Sequence, residues 1–445
     1  MSNIISINQK ISSFRKKTIF VEGDKSLSIR FILLSSLSNG KCTAYNLLKS
    51  EDVLCTINSI KKLGIKINLK NNYCEVFGRG LFGLKYKNGL VLDAGNSGTT
   101  ARLLCSLLID TDQKIKITGD KSLKKRDMSR ITRPLRMFGA NLEDNKGKLP
   151  ITIKESKLLN PIIYTENLGS AQCKSAVMIA ALKASGITKL KCLPSRNHTE
   201  LMFKNVLKIP IKINKQKKKD LIQVEGLQNF KPFDYKIPGD ISSAAFFIVL
   251  TLLSKKKFLT IKNVNINPSR TGIINILNKM GANIKYSNKK KYKGELAADI
   301  VIKSCEKLRS INLSPKNNSS AVDEFLLIFL VASKCDGIST FRNLSELNKK
   351  ESKRLDWGIK ILKMMGIKVK KIKDNGVKIW GKPSLMLEKN YVIKDFLKDH
   401  RVFMVSVIAA LTLGGKWKIH DANKSFKTSF PTFLKILKNL GAKIK

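Results

Sequence analysis

Two stretches of this 445-residue chain read alike: Ile19–Leu37, IFVEGDKSLSIRFILLSSL, and Tyr235–Leu253, YKIPGDISSAAFFIVLTLL. Each is a short run that suits a strand, then a Gly-Asp turn, a Ser, and a long apolar run that suits a buried helix. They begin 216 residues apart. A second signal has about a third of that period. An apolar pattern at i, i+3, i+4, then Gly, then a β-type run recurs six times. Its turning points are Gly64, Gly139, Ile209-Pro210, Gly281, Gly366 and Gly441, at steps of 75, 70, 72, 85 and 75 residues. Gly ends a helix in the left-handed region without a Cβ clash, so each unit reads as amphipathic helix, cap, strand. Units of about 70 residues are too long for a common solenoid, and six of them divide into two bodies of three. The Gly-Asp turns at Gly23-Asp24 and Gly239-Asp240 are where the chain would pass between bodies. The expected domains are residues 25–239, and residues 240–445 together with 1–24, both α/β.

Composition narrows the function. With 43% hydrophobic residues the chain is globular. Its 84 basic and 33 acidic residues give a formal charge of +51, which invites a nucleic-acid reading. Only 14 of the 84 are Arg, and the Lys are scattered; the densest runs, Lys217–Lys219 and Lys289–Lys293, read as exposed loops. A solvated Lys-rich surface is therefore expected and no nucleic-acid partner, with a positive field that favours small anionic substrates. The eight Cys show no CxxC and no Cys/His cluster, so reduced, mostly buried thiols and no metal site are expected. The first residues lack the apolar core of a signal peptide. The longest apolar runs, 242–254 and 402–413, fall short of the roughly 18 residues of a spanning helix. A cytoplasmic protein, monomeric and without a membrane partner, is expected.

The polar residues at the predicted helix starts carry the chemistry. Gly23-Asp24-Lys25-Ser26-Leu27-Ser28-Ile29-Arg30 sets Lys25 and Ser26 at a helix tip and Arg30 one turn on, where backbone N–H groups suit an anion. The Walker spacing is missing. Asp93-Ala94-Gly95-Asn96-Ser97-Gly98 is a turn of small residues that lets a ligand approach the backbone closely. Arg126, at a loop end, is the candidate for a bidentate anion clamp, while Arg130, Arg133 and Arg136 read as a solvated or salt-bridged face. Ser170, Ala171 and Gln172 open another apolar helix. Ser195 and Arg196 suit a phosphate, and Asn197 with Glu200 three residues on reads as a capping box. His198 has no metal partner at ligand spacing and reads as a hydrogen-bonding residue. In the C-terminal half, Asp323-Glu324, Lys350-Glu351-Ser352-Lys353-Arg354 and Asp399-His400-Arg401 stand at helix starts. Taken singly each is a capped or solvated terminus; together they would line a cleft for a substrate with several negative charges.

In order, GDKSLSIR, LDAGNSGTTARL, TGDKSLKKR, SAQCKSA, RNHTE, PGDISSA, NPSRTG, VDE, KES-x-R, DHR and TSFP resemble the enolpyruvyl transferases, specifically the 5-enolpyruvylshikimate-3-phosphate synthase family, over nearly the whole chain. The resemblance implies two inside-out α/β domains, each with three βαβαββ units, joined by two hinge crossovers. It implies transfer of an enolpyruvyl group from phosphoenolpyruvate to the 5-hydroxyl of shikimate 3-phosphate, with no metal and no organic cofactor. By the resemblance, Lys25, Ser26, Arg30, Ser170, Ala171, Gln172, Asp323 and Lys350, with Ser195 and Arg196, face shikimate 3-phosphate. Lys25, Gly98, Arg126, Gln172, Arg354 and Arg401, with Lys427 one residue out of the family's register, face phosphoenolpyruvate. Asp323 and Glu351, with Lys25, are the acid/base groups. The sequence departs from the family at Lys353, where Asp is usual, and at Leu397-Lys398, where smaller or amide residues are usual. Gly98 leaves the phosphoenolpyruvate pocket unblocked, so glyphosate is expected to compete there. The sister enzyme acting on UDP-N-acetylglucosamine is disfavoured by Ser26, Arg30 and the lack of a Cys between Lys121 and Arg126. A basic nucleic-acid-binding protein remains the alternative from another class.

Overall fold

Apolar runs with no polar face must be buried on every side, and that requirement shapes each half of the molecule. The computed structural model describes residues 4–216, 218–373, 375–421 and 424–445; Lys217, the first residue of one predicted Lys-rich loop, lies outside them. The first unit comprises Gly23–Ile237 and Tyr292–Glu295; the second comprises the chain up to Glu22, Pro238–Lys291 and Leu296–Lys445. The pattern reading assigns 292–295 to the other body. They are the tip of a hairpin whose Glu295 carboxylate meets His198 Nδ1 at 2.6 Å and whose Tyr292 ring packs on Tyr235, both in the first unit.

The first unit contains helices α1 (Lys25–Ser36), α2 (Glu51–Lys62), α3 (Gly98–Leu107), α4 (Ser129–Met137), α5 (Ala171–Ala181) and α6 (His198–Met202). The second contains α7 (Ile241–Leu253), α8 (Gly272–Lys279), α9 (Asn318–Ala321), α10 (Phe325–Ala332), α11 (Arg354–Met364), α12 (His400–Leu413) and α13 (Phe433–Leu440). Three helices in each unit are interior. α1, α3 and α5 are almost wholly buried, as are α7, α10 and α12; all eight residues of α10 and all fourteen of α12 are buried. The helices that the sequence marks as amphipathic, such as α2, α8 and α13, have one wet face. This is the inside-out arrangement, with helices inside and sheets as the wall.

Among the described residues the strands form six sheets, three to each unit. One of them shows the repeat: Leu90–Asp93 runs parallel to Ile115–Thr118, which pairs antiparallel with Lys148–Ile153, which pairs antiparallel with Leu142–Asn145. The other two sheets of the first unit have the same order of directions. Gly64, Gly139, Gly281, Gly366 and Gly441 all have positive φ, as a left-handed cap requires. The third repeat differs from expectation: Lys208, at φ 58°, ends the helical segment one residue before Ile209-Pro210. The Lys289–Lys293 run also differs. Lys289 to Lys291 are exposed, but they lie in strand Ile284–Tyr292, where lysines shield an edge strand from pairing.

Candidate active site

In each unit the interior helices bring their N-termini together, because they pack on one another with parallel roles in a repeated unit. In the first unit α1, α3 and α5 meet this way. Asp24 caps α1 by accepting from Leu27 N at 3.0 Å, which holds Lys25 and Ser26 in the first turn. Lys25 Nζ pairs with Asp52 Oδ2 at 2.8 Å. Arg30 is buried, and three of its nitrogens donate within the protein: Nε to Thr199 Oγ1 at 2.7 Å, Nη2 to Ser175 Oγ at 2.7 Å, Nη1 to the Ser26 carbonyl at 3.1 Å.

Gly98 is the first residue of α3. A Cβ there would lie 2.9 Å from Arg102 Nη1 and 3.2 Å from Arg126 Nη1, so the glycine makes room for two guanidinium groups. Arg126 Nη2 donates to Asn96 Oδ1 at 2.9 Å, and Asn96 is oriented by donating to Asp120 Oδ2 at 2.7 Å. Arg102 donates through Nη1 to Gln172 Oε1 and through Nη2 to the Asp127 carbonyl at 3.1 Å. Its pKa falls to about 10, through burial first and then the like charges of Arg130 and Arg126. Gln172 Nε2 donates to Thr99 Oγ1 at 2.8 Å, which fixes the amide's orientation.

Ser170 caps α5, accepting from Cys173 N at 3.3 Å, and Ala171 is its first residue. The turn before it is held by Glu166, which accepts from Leu168 N at 2.8 Å, Gly169 N at 2.9 Å and Ser170 N at 3.3 Å. Those three amides are therefore occupied. Burial raises the Glu166 pKa, the three hydrogen bonds opposing it. Ser195 and Arg196 lie half-buried in the loop before α6, the Ser195 Oγ itself inaccessible and without a hydrogen-bond partner among the described residues. The expected capping box is absent: Asn197 makes no side-chain cap bond, and Glu200 instead meets Lys174 Nζ at 2.6 Å. The buried lysine outcompetes a backbone N–H for the carboxylate.

In the second unit α7, α10 and α12 converge. Arg354, the first residue of α11, is the hub. Its Nε meets Asp399 Oδ2 at 2.9 Å, its Nη1 meets Asp323 Oδ1 at 3.3 Å, and its Nη2 bonds Glu351. Lys350 Nζ lies 3.4 Å from Asp323 Oδ1. Burial works against the Arg354 charge, but Asp399, Glu351 and Asp323 together overcome it and raise its pKa. Asp399 also accepts from Ser352 Oγ at 2.8 Å and caps α12 through Arg401 N at 2.9 Å. Arg401 Nη1 is 3.5 Å from Glu324 Oε1, and Glu324 takes a hydrogen bond of 2.5 Å from Ser242 Oγ. Lys353 is exposed at the head of α11, so the departure from the family's Asp leaves Arg354 in place. Lys427 is exposed, and its ammonium makes no hydrogen bond or ion pair among the described residues.

The structure thus gathers Lys25, Ser26, Arg30, Gly98, Arg126, Ser170, Ala171, Gln172, Ser195 and Arg196 on the first unit, and Asp323, Lys350, Glu351, Arg354 and Arg401 on the second; Lys427 stands apart from these contacts. Asp52, Asn96, Arg102, Lys174, Glu324 as the partner of Arg401, and Asp399 as the clamp on Arg354 were not singled out from sequence. Asn96 and Arg102 carried a signal, in and beside a small-residue turn, as did Glu324 and Asp399 at the named helix starts, but their pairings did not. Among the described residues no group of three or more His, Cys, Asp and Glu side chains is placed to hold a metal ion, and no helix is long and apolar enough to cross a membrane.

A family profile for EPSP synthase (3-phosphoshikimate 1-carboxyvinyltransferase) matches residues 10–437. The 3-phosphoshikimate 1-carboxyvinyltransferase of Ruthia magnifica subsp. Calyptogena magnifica is 40% identical over 429 residues, covering 95% of both chains. That of Caldicellulosiruptor bescii is 39% identical over 437 residues, covering 97% of this chain and 98% of its own. An EPSP synthase structure from Acinetobacter baumannii superposes with a TM-score of 0.85 at 33% identity, covering 99% of each chain. The enolpyruvyl transferase NikO from Streptomyces tendae, at 13% identity and a TM-score of 0.76, shares the fold. With a match of that length falling on residues whose side chains meet as described, the chain belongs to the EPSP synthase (3-phosphoshikimate 1-carboxyvinyltransferase) family.

Proposed function

We propose that this chain transfers the enolpyruvyl group of phosphoenolpyruvate to the 5-hydroxyl of shikimate 3-phosphate, and that the two units divide the work. In the reaction the 5-oxygen bonds to C2 of phosphoenolpyruvate while C3 gains a proton. The tetrahedral adduct then loses phosphate from C2 and the extra proton from C3. Asp323, assisted by Lys25, takes the hydroxyl proton, and Glu351 supplies the proton to C3; positioned acid/base groups of this kind contribute roughly 10²–10⁴-fold. Arg126, with Gln172 and Gly98, holds the departing phosphate, and Arg354 and Arg401 hold the carboxylate in paired hydrogen bonds. Ser26, Ser170, Ala171, Ser195, Arg196, Arg30 and Lys350 hold shikimate 3-phosphate.

The observation that carries this reading is the cluster of Asp323, Lys350 and Glu351 around one buried arginine. It places two carboxyl groups beside a cation that leaves them when a substrate carboxylate competes for it. Eight free thiols suit a reducing cytoplasm, where we place the protein. Glyphosate should compete with phosphoenolpyruvate, and its failure to do so at millimolar concentration would count against an open pocket at Gly98. The test of the whole is phosphate release from purified protein. Release should need both substrates and fall by at least about a hundredfold in Glu351→Ala and Arg126→Ala. Release with UDP-N-acetylglucosamine in place of shikimate 3-phosphate would overturn the reading.

A further inference from the structure

Behind the three serines assigned to shikimate 3-phosphate is a buried polar layer of which only Arg30 has been given a substrate role. Two consecutive residues of α5, Lys174 and Ser175, reach two consecutive residues of α6, Thr199 and Glu200. Ser175 Oγ and Thr199 Oγ1 are 2.7 Å apart, and both accept from Arg30 of α1, whose Nη1 in turn holds the Ser26 carbonyl. Lys174 is 1% exposed, and its Nζ makes two contacts: Glu200 Oε1 at 2.6 Å and the Ser195 carbonyl at 3.3 Å. A lysine this deep carries a large desolvation cost, and a well-packed apolar pair would serve stability as well. The second contact is what an apolar pair could not make. It grips the backbone of Ser195, whose hydroxyl is inaccessible and has no hydrogen-bond partner among the described residues.

We propose that Lys174 is a positioning residue for substrate binding: by holding the Ser195 carbonyl it sets the Ser195-Arg196 loop in register with Ser26 and Ser170. The proposal rests on the assignment of Ser195 to shikimate 3-phosphate. The geometry separates two functions of the lysine. The bond to Glu200 neutralises a buried carboxylate whose other oxygen has no hydrogen-bond partner among the described residues. The bond to Ser195 orders a loop.

The test uses steady-state kinetics with each substrate varied in turn, together with thermal unfolding. Lys174→Met alone strands Glu200 and should unfold at a markedly lower temperature. Lys174→Met/Glu200→Leu removes both charges and should regain most of that temperature, yet keep a KM for shikimate 3-phosphate raised about tenfold, with the KM for phosphoenolpyruvate and kcat within about twofold. Glu200→Gln leaves the lysine and its grip on Ser195, and its KM for shikimate 3-phosphate should stay within about threefold of the parent. A double variant with the parental KM would overturn the proposal, as would a Glu200→Gln KM that rises as far as that of the double variant. Ser195→Ala separates the two levels: if its KM for shikimate 3-phosphate is unchanged, the assignment of Ser195 falls and the inference with it.

Discussion

The two units hold their candidate-site arginines with different sets of partners. In the first unit Arg126 is held by the Asn96 amide, and Arg102 by the Gln172 amide and a backbone carbonyl. The two partners of Arg102, both neutral, orient its guanidinium without cancelling its charge. The cost shows in Arg102, whose pKa drops to about 10. In the second unit Arg354 faces three carboxylates, and Arg401 faces a fourth. There the carboxylates keep the buried Arg354 charged against the desolvation that opposes it. Under the proposed function, the difference would set the departing phosphate beside the amide-held Arg102 and Arg126, and proton transfer beside the carboxylates around Arg354.

That contrast can be broken most severely at its charged hub. Asp399→Ala removes the clamp on Arg354 Nε, the partner of Ser352 and the cap of α12 at once. Breaking a buried pair this way costs about 3–5 kcal/mol, so the variant should unfold at clearly lower denaturant and lose nearly all phosphate release. A variant of parental stability would show that Glu351 and Asp323 alone suffice for Arg354. Next in size, Arg126→Lys keeps the charge but loses the planar fork. Its kcat/KM for phosphoenolpyruvate should fall by about 10²-fold, consistent with the loss of a paired, charge-assisted contact. A drop no larger than twofold would mean that charge alone matters on the amide-held side.

Gly98→Ala sharpens the comparison at lower cost. Its Cβ would press on both Arg102 and Arg126, and flexible guanidinium ends can give by a few tenths of an ångström. The KM for phosphoenolpyruvate should rise about tenfold with a smaller change in kcat, about the effect of one weakened contact. The pH profile is subtler. As pH rises through about 10, Arg102 loses its proton in the native state and the KM for phosphoenolpyruvate should climb. Stability moves the other way. The native state then binds fewer protons than the unfolded state, up to the ordinary guanidinium value, so Arg102's own contribution to stability increases with pH over that window. Parallel losses of affinity and of this contribution, compared with Arg102→Met, would contradict the assigned shift. The smallest effect is at the approach to Asp399, where Leu397 has φ 53° and Lys398 φ 59°. Asn tolerates that region better than Leu, so Leu397→Asn should stabilise by up to about 1 kcal/mol in chemical denaturation. An unchanged or lower midpoint would show that the surrounding chain pays no strain there.

Leu397-Lys398 also shows what a sequence departure means once the backbone is known. Smaller or amide residues would suit a left-handed pair, and this chain adopts the conformation with side chains that fit it less well. Lys353, the other departure, turns outward and changes nothing at Arg354. The repeats, the apolar interior helices and nearly all helix starts were legible because they depend on local pattern: periodicity, Gly at a cap, an acid or Ser before an apolar run. The capping box at Asn197 was misleading for the same reason. Its spacing is correct, but Lys174, 26 residues before Glu200, has the stronger claim on the carboxylate.

The amino-acid sequence by itself determined the six repeats, the order of the helix starts and the residue types standing at them, because each follows from neighbours within a few turns. Tertiary structure alone decided which of those residues pair. Asp52 with Lys25, Asn96 with Arg126, Arg102 with Gln172 and Asp399 with Arg354 are separated by 27, 30, 70 and 45 residues. No local periodicity encodes such pairs; they form because three interior helices per unit pack with their N-termini together, and charge in a buried site is settled by whichever partners that packing brings within reach.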